Sequence, residues 1–144
     1  MQEPRTLPDL PSNAALLDYL RRQASPASSA DDGYSLGPWQ LHTHPDLVAR
    51  LGELAHGWPL SAAYGVPLLA RDGVAAVVAL GTTWLAVRID QLPAGVESGA
   101  PDAVWSFVTD NWHIVNAWQG QLAAVDGTRL LRELLASALA YAGQ

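Results

Sequence analysis

The chain has 144 residues, the size of one domain (residues 1–144) that can bury its own hydrophobic core. Hydrophobic residues make up 49% of it and charged residues 15%, which excludes an intrinsically disordered protein. The net charge is −6 and no basic stripe is visible, so we expect neither nucleic acid nor membrane as a partner.

The predicted elements begin with a tail, one helix and a loop. Residues 1–11 contain three prolines and should form an extended tail. Ser12 or Asn13 can cap a helix that runs to about Gln23, because leucines recur on one face of this segment. Residues 24–38 are rich in Ser, Ala, Pro and Gly and predict a loop.

A short strand and a second helix follow. Trp39–His42 fits a strand, and Thr43 is the predicted N-cap of a helix with Pro45 in its first turn. An apolar stripe of Leu, Val and Ala supports this helix, and Gly57 and Pro59 should end it.

Residues 63–90 predict a three-strand meander, which we take as the scaffold of the fold. Asp72-Gly73 is a two-residue hairpin turn. The strand before it, Tyr64–Arg71, contains Pro67, whose missing N–H indicates an edge strand. The strand after it, Val74–Leu80, is apolar on both faces, as expected for a strand buried on both sides.

The rest of the chain adds strands and a last helix. Trp84–Ile89 alternates, with Leu, Val and Ile on one face. Residues 104–109 fit either a strand or a short helix, and Trp112–Trp118 predicts a further strand. Asp126 can cap a leucine-rich C-terminal helix, which Gly143 should end.

Together these elements predict an α+β fold. We expect a mainly antiparallel sheet of 4–5 strands, with the three-strand meander at 63–90, covered by helices from both ends of the chain. A sheet with its helices on one face satisfies this order of elements.

The motif His42-Thr43-His44-Pro45 suggests a metal site. Residues two apart on an extended segment point the same way, so His42 and His44 could share a metal ion, with His56 or His113 as a third ligand. The alternative is structural, with a helix cap at Thr43, His44 in the first turn and an ordinary strand residue at His42.

The same motif resembles the His-Ser/Thr-His-Pro element of the zinc metalloproteases that remove ubiquitin-like tags. The resemblance implies a third ligand in a Ser-x-x-Asp and an upstream Glu as general base. This chain has Ser61-Ala62-Ala63-Tyr64, which lacks the aspartate, and its one upstream Glu is Glu3 in the proline-rich tail. We therefore reject membership of that family.

Six tryptophans could supply core bulk or line an aromatic pocket. Core is the ordinary role, because the chain has a single Phe and a single Met. Trp112 and His113, beside Asp110, form the candidate ligand-binding site, because aromatic and polar groups converge there.

Arg71 and Arg88 are predicted on neighbouring strands and could bind an anion together. Solvated charges at the edge of a sheet are the ordinary alternative.

The stretch Tyr64-Gly65-Val66-Pro67, followed by Asp72-Gly73 and an apolar strand, resembles small bacterial domains of the YdhG-like group. The resemblance covers residues 61–90 and implies an α+β fold with a curved antiparallel sheet. Some members of that group are described as iron chaperones, but acidic residues are sparse on these strands. We transfer no functional residue from the group.

Composition also bears on compartment and cofactors. The chain has no cysteine, which excludes disulfides, thiol catalysis and cysteine-based zinc sites. The N-terminus lacks the basic region and apolar core of a signal peptide, so we expect a cytoplasmic protein. Arginine without lysine, with abundant Ala and Gly, indicates a GC-rich bacterial genome.

We therefore expect a small non-catalytic binding or interaction module without a cofactor, self-associating as a homodimer or binding a protein partner. The alternative is a metal-binding protein or metal-dependent enzyme using His42 and His44. A third possibility is a small-molecule pocket between the sheet and the last helix, near Trp112 and His113.

Overall fold

The computed structural model describes residues 5–26, 35–36, 39–96, 98–99, 105–109, 111–118 and 126–143. The helices are α1 (Ala14–Gln23), α2 (Pro45–Ala55) and α3 (Asp126–Ala142). The strands are β1 (Arg5–Thr6), β2 (Ser35–Leu36), β3 (Trp39–Gln40), β4 (Ser61–Ala63), β5 (Val66–Arg71), β6 (Val74–Leu80), β7 (Trp84–Arg88) and β8 (Trp112–Asn116). Within the described ranges, every helix is too short or too polar to cross a membrane.

One sheet of six strands, in the order β1-β4-β5-β6-β7-β8, organises the described residues. Strands β4 to β8 pair antiparallel with their neighbours along the chain and form a simple meander. The short β1 pairs with β4 in parallel, and β2 and β3 form a separate antiparallel pair. The predicted α+β fold with a mainly antiparallel sheet is confirmed. Two strands of the sheet lie outside the predicted strands: β1 comes from the segment predicted as an extended tail, and β4 lies ahead of the strand predicted from Tyr64.

Helices cover both faces of the sheet, so the expectation that they share one face is wrong. On one face α1 packs through Leu16 and Leu20, beside a buried aromatic cluster. On the other face α2 and α3 pack in a leucine-rich core. Val77 and Val78 are adjacent on β6, point to opposite faces and are both fully buried. Each face of the sheet therefore needs its own cover.

Pro67 lies inside the sheet, so the edge-strand prediction for its strand is wrong. β5 pairs with β4 on one side and with β6 on the other. Because Leu68 pairs with Val78, Ala79 lies opposite Pro67. Proline has no backbone N–H, so it cannot donate the ladder hydrogen bond to the Ala79 carbonyl. The hydroxyl of Thr43 donates to that carbonyl at 2.7 Å instead. A side chain from outside the sheet thus allows proline in an interior strand.

Thr43 therefore does not cap α2, which corrects the sequence prediction. Its side chain is only 3% exposed and serves the sheet. The cap is His44, whose Nδ1 accepts a hydrogen bond from the backbone N–H of Asp46 at 3.1 Å. Pro45 follows in the first turn, as predicted. The predicted N-cap is wrong by one residue, because Thr43 and His44 both carry a side-chain atom that can accept a hydrogen bond from the first turn of the helix.

The N-terminal segment is fixed to the sheet by Asn13, which is fully buried. The side chain stands at the N-cap of α1 but makes no capping bond. Its Nδ2 donates to the carbonyls of Pro8 and Gly73 at 3.0 and 2.7 Å, and its Oδ1 accepts from the N–H of Ala75 at 3.0 Å. The predicted cap is correct in position, but its bonds join the tail to the β5–β6 hairpin.

Arg50 connects α2 to α3 and to the end of the sheet, and it is only 3% exposed. Its Nε donates to the Ala117 carbonyl at 2.8 Å, and its Nη2 donates to the Thr128 hydroxyl at 3.3 Å. Its Nη1 pairs with Glu53 at 3.2 Å, and the guanidinium lies 5.7 Å from the Trp118 ring centroid. The buried charge is therefore well partnered.

Residues 105–109 form a turn, in which the N–H of Val108 donates to the Trp105 carbonyl at 2.9 Å. Neither the predicted strand nor the predicted helix forms there, and Val104 lies outside the described residues. The turn lets Phe107 stack on Trp105 and meet Trp112 edge to face, with centroids 6.1 and 5.2 Å apart. Burial of these rings against the sheet explains the departure from regular structure.

Candidate functional site

A groove of about 590 Å³ lies between α1 and the sheet edge formed by β1 and β4. We call it the edge groove. Leu17 of α1 and Ala63 of β4 line it, together with the rings of Trp39 and Tyr64. Its volume falls in the range of about 300–1,000 Å³ that is usual for small-molecule sites. The groove therefore has the size and the apolar lining of a ligand site.

Tyr64 adopts a backbone conformation that bulky residues rarely take. With Gly65 it forms the two-residue turn between β4 and β5, and their φ angles are 51° and 84°. Positive φ at both central residues is the pattern of a type I′ turn, which favours Asn and Gly. It costs an L-residue about 1–2 kcal/mol. Residues with strained backbone conformations of this kind cluster at ligand-binding and active sites.

The Tyr64 ring meets the indole of Trp39 edge to face, with ring centroids 5.1 Å apart. Backbone packing behind the turn fixes this pair. A Cβ added at Gly65 would collide with the carbonyl oxygen of Gln40, so only glycine lets β3 approach so closely. The N–H of His42 also donates to the Gly65 carbonyl at 3.0 Å. The aromatic pair is thus positioned by main-chain contacts.

Among the described residues, the charged side chains that line the edge groove are Asp9, Asp18 and Arg21, and all three are exposed. Asp18 pairs with Arg21 at 2.8 Å and with Arg22 at 3.1 Å. Asp9 has no ion pair with any side chain that the structure describes. The groove therefore combines an aromatic wall with a carboxylate that has no counterion in the part of the chain that the structure describes.

The two histidines of the predicted metal site have separate roles. His44 is exposed and caps α2 through Nδ1, so a shared metal ion would have to bind its Nε2. His42 is half-buried, and its Nε2 is buried without a hydrogen-bond partner among the described residues. Both line a shallow cavity of about 640 Å³. The described ranges contain no group of three or more His, Asp or Glu side chains placed to hold a metal ion.

Trp112 and His113 point to opposite faces of the sheet, because they are adjacent on β8. The Trp112 ring is buried on the α1 side, where the guanidinium of Arg88 lies 4.7 Å from its centroid. His113 is half-buried, with Nε2 at 3.3 Å from the Asp90 carbonyl oxygen. Asp110, the third residue of this predicted site, lies outside the described residues. The structure does not bring Trp112 and His113 into one pocket.

Arg71 and Arg88 are also apart, because β6 lies between their strands. The prediction of neighbouring strands is wrong, since the turn at Asp72-Gly73 leads into the strand that separates them. The Arg71 side chain packs against Gly143 at the C-terminal end of α3. A cation is favourable at that end of a helix, so Arg71 has a structural role there.

Sequence reasoning counted Trp39 among six possible pocket tryptophans but did not place it with Tyr64 and Asp9 in the edge groove. The prediction places Tyr64 in a strand, whereas Tyr64-Gly65 is a turn between two strands. A residue-Gly pair between two apolar runs was the available signal, but tyrosine is not a usual turn residue. Trp39 lies on a two-residue strand, which is too short for a periodic pattern, and Asp9 lies in a proline-rich segment.

Comparisons with protein-family models, curated proteins and solved structures find no match to this chain. The resemblance of Tyr64–Pro67 and Asp72-Gly73 to the YdhG-like group stays a prediction.

Proposed function

We propose that this protein is a small non-catalytic binding module that holds an amphipathic organic cation in the edge groove. The observation that carries the proposal is the Trp39–Tyr64 ring pair, with centroids 5.1 Å apart, on the wall of a groove of about 590 Å³. Aromatic faces bind planar apolar groups, and their quadrupoles attract cations.

The charges at the groove support a cationic ligand. Asp18 is already paired with Arg21 and Arg22, whereas Asp9 has no ion pair among the described residues. An ammonium group near Asp9 would gain a counterion, and a ligand carboxylate would be repelled. The net charge of −6 favours the approach of cations as well.

The backbone strain at Tyr64 also supports ligand binding in the edge groove. Asn or Gly at this turn would relax the positive φ of 51°. Only an aromatic residue there supplies the ring that meets Trp39. A strained residue that completes a cavity wall is expected where binding, rather than stability, determines the side chain.

Isothermal titration calorimetry with phenethylamine tests this proposal, because the molecule joins one aromatic ring to one ammonium group. Phenylacetate is the matched probe with the same ring and a negative charge. We expect saturable binding of phenethylamine that weakens as salt is raised, and weaker or absent binding of phenylacetate. Equal binding of both probes would contradict the cationic preference.

Matched variants locate the site. Trp39→Ala should weaken phenethylamine binding about tenfold, the loss expected for one good cation–π contact. Trp58→Ala removes the exposed tryptophan outside the groove and should leave binding unchanged. Asp9→Asn should weaken binding by about twofold to fivefold, and Asp90→Asn, at another exposed carboxylate, should not. Binding that survives Trp39→Ala would place the ligand elsewhere.

The proposal also covers the source, the compartment and the oligomeric state of the protein. We infer a bacterial cytoplasmic protein from its arginine-only basic residues and its lack of cysteine. We also propose that it forms a homodimer or binds a protein partner. Size-exclusion chromatography with light scattering tests this, and a monomer at all concentrations would contradict the homodimer.

A metal-binding protein using His42 and His44 is the second candidate. The observation that favours it is the buried His42 Nε2, which has no hydrogen-bond partner among the described residues. Elemental analysis after loading with zinc or iron tests it, with His42→Ala and His44→Ala as controls. Stoichiometric metal lost in both variants would support this candidate, and absence of bound metal in the wild type would eliminate it.

A further inference from the structure

Arg88 lies at the end of β7 and is not among the residues that line the edge groove. Its guanidinium covers the ring of Trp112, 4.7 Å from the centroid. Its Nη2 donates to the backbone carbonyl of Ser12 at 2.8 Å. Among the described residues, these two contacts fix the orientation of the guanidinium plane and engage only part of its five N–H donors.

Arg88 combines partial burial with the lack of a carboxylate partner among the described residues, which separates it from the other arginines whose side chains the structure describes; Arg132 also lacks such a partner but is exposed. Five of them have a carboxylate within 4.0 Å: Arg21, Arg22, Arg50, Arg71 and Arg129. Arg88 is half-buried and has none among the described residues. Burial lowers the pKa of its guanidinium, and the Tyr141 phenol partly opposes that shift. A partly desolvated cation without a counterion is costly, and an anionic ligand would relieve that cost.

The space beside Arg88 can take such a ligand. A cavity of about 310 Å³ is lined by Arg88, Ser12, Asn111 and Tyr141, with Val74 on its apolar side. The Ser12 hydroxyl, the Asn111 amide and the Tyr141 phenol are all hydrogen-bond donors. Acidic side chains are missing from the described lining of this cavity. The donors therefore surround the same space as the cation.

We propose that this cavity binds a small oxyanion, either a carboxylate or a phosphate, with Arg88 as its counterion and Tyr141 and Asn111 as additional donors. The planar guanidinium fork suits both kinds of oxyanion, because each offers two oxygens to parallel N–H groups. The Trp112 ring beneath Arg88 keeps the fork aligned for such a pair.

NMR titration of the full chain with sodium phosphate and, separately, sodium acetate tests this inference, with sodium chloride holding the ionic strength constant. We expect saturable amide shifts around Arg88 and Asn111 with at least one of the two anions. Phosphate alone would assign a phosphate ligand, and acetate alone would assign a carboxylate. No saturable shift with either anion would overturn the proposal.

Three variants distinguish anion binding by the specific donors of this cavity from nonspecific attraction of an anion to any arginine. Arg88→Lys keeps the charge but loses the fork, and should weaken binding about tenfold. Tyr141→Phe removes one donor while keeping the ring, and should weaken it by a smaller factor even if Arg88→Lys fails to fold. Arg132→Lys is the control, because Arg132 is exposed and outside this cavity. Unchanged affinity in both Arg88→Lys and Tyr141→Phe would show that the anion binds elsewhere.

Discussion

The ring of Tyr64 meets the indole of Trp39 edge to face, although the Tyr64 backbone has a φ of 51°. The two side chains come from elements about 25 residues apart, a two-residue strand and a two-residue turn. Their contact forms the aromatic wall of the edge groove. Its position rests on the close approach of Gln40 to Gly65, where no other residue fits.

Substitutions at Tyr64 should separate strain from binding. Tyr64→Asn relaxes the turn and should change the free energy of unfolding by no more than about 1 kcal/mol, because strain relief offsets the lost ring contact. Tyr64→Ala loses the ring without relaxing the turn as fully, and should be the less stable of the two variants. Urea denaturation measures both. Both variants should bind phenethylamine more weakly than the wild type.

Much of the scaffold could be predicted from the sequence. Asp72-Gly73 marks a hairpin that the structure confirms, and Val74–Leu80 shows its burial on both faces as an unbroken apolar run. These features depend on local turn chemistry and on a period of two, which the sequence carries directly.

What the sequence could not show depends on contacts distant along the chain. The role of Thr43 depends on Pro67 and on the carbonyl of Ala79, which only the folded register places together. The edge groove likewise needs β3 beside the Tyr64-Gly65 turn. Neither contact produces a periodic pattern in the sequence. Local sequence patterns therefore predict a helix cap at Thr43 and a strand at Tyr64.

Thr43→Val should destabilise the protein by about 1–3 kcal/mol, because it leaves the Ala79 carbonyl buried without a donor. Thr43→Ser keeps the hydroxyl and should cost clearly less. Chemical denaturation of both variants measures the difference.

A double-mutant cycle identifies the cause. Pro67→Ala supplies an N–H opposite Ala79, so Thr43→Val should cost less in the Pro67→Ala background than in the wild type. Equal costs in the two backgrounds would mean that the hydroxyl does not replace a missing ladder bond.

Asn13→Ala should destabilise the fold by about 2–3 kcal/mol, because it leaves backbone groups of Pro8, Gly73 and Ala75 without their partner. Asn13→Asp keeps an acceptor for the Ala75 N–H but places a carboxylate against two carbonyls, and should be at least as destabilising. Ser12→Ala, at an exposed neighbour, should have little effect. Thermal denaturation followed by circular dichroism ranks the three variants.

Arg50→Met should destabilise the protein by about 2 kcal/mol, because the Ala117 carbonyl loses its buried donor and α2 loses its link to Thr128. Arg129→Met is the matched control, because Arg129 is exposed and, among the described residues, pairs with Glu133 alone, on the same helix. We expect it to cost about 0.3–0.5 kcal/mol. Similar losses in the two variants would contradict a special role for the buried arginine.

The most direct test of the proposed function is a two-dimensional NMR titration of the wild-type chain with phenethylamine. The edge groove predicts that the largest shifts occur at the Trp39 indole N–H and at the backbone amides of Tyr64 and Gly65, and that they saturate together. Shifts centred on Trp58, or small shifts spread over the whole surface without saturation, would contradict binding in the edge groove.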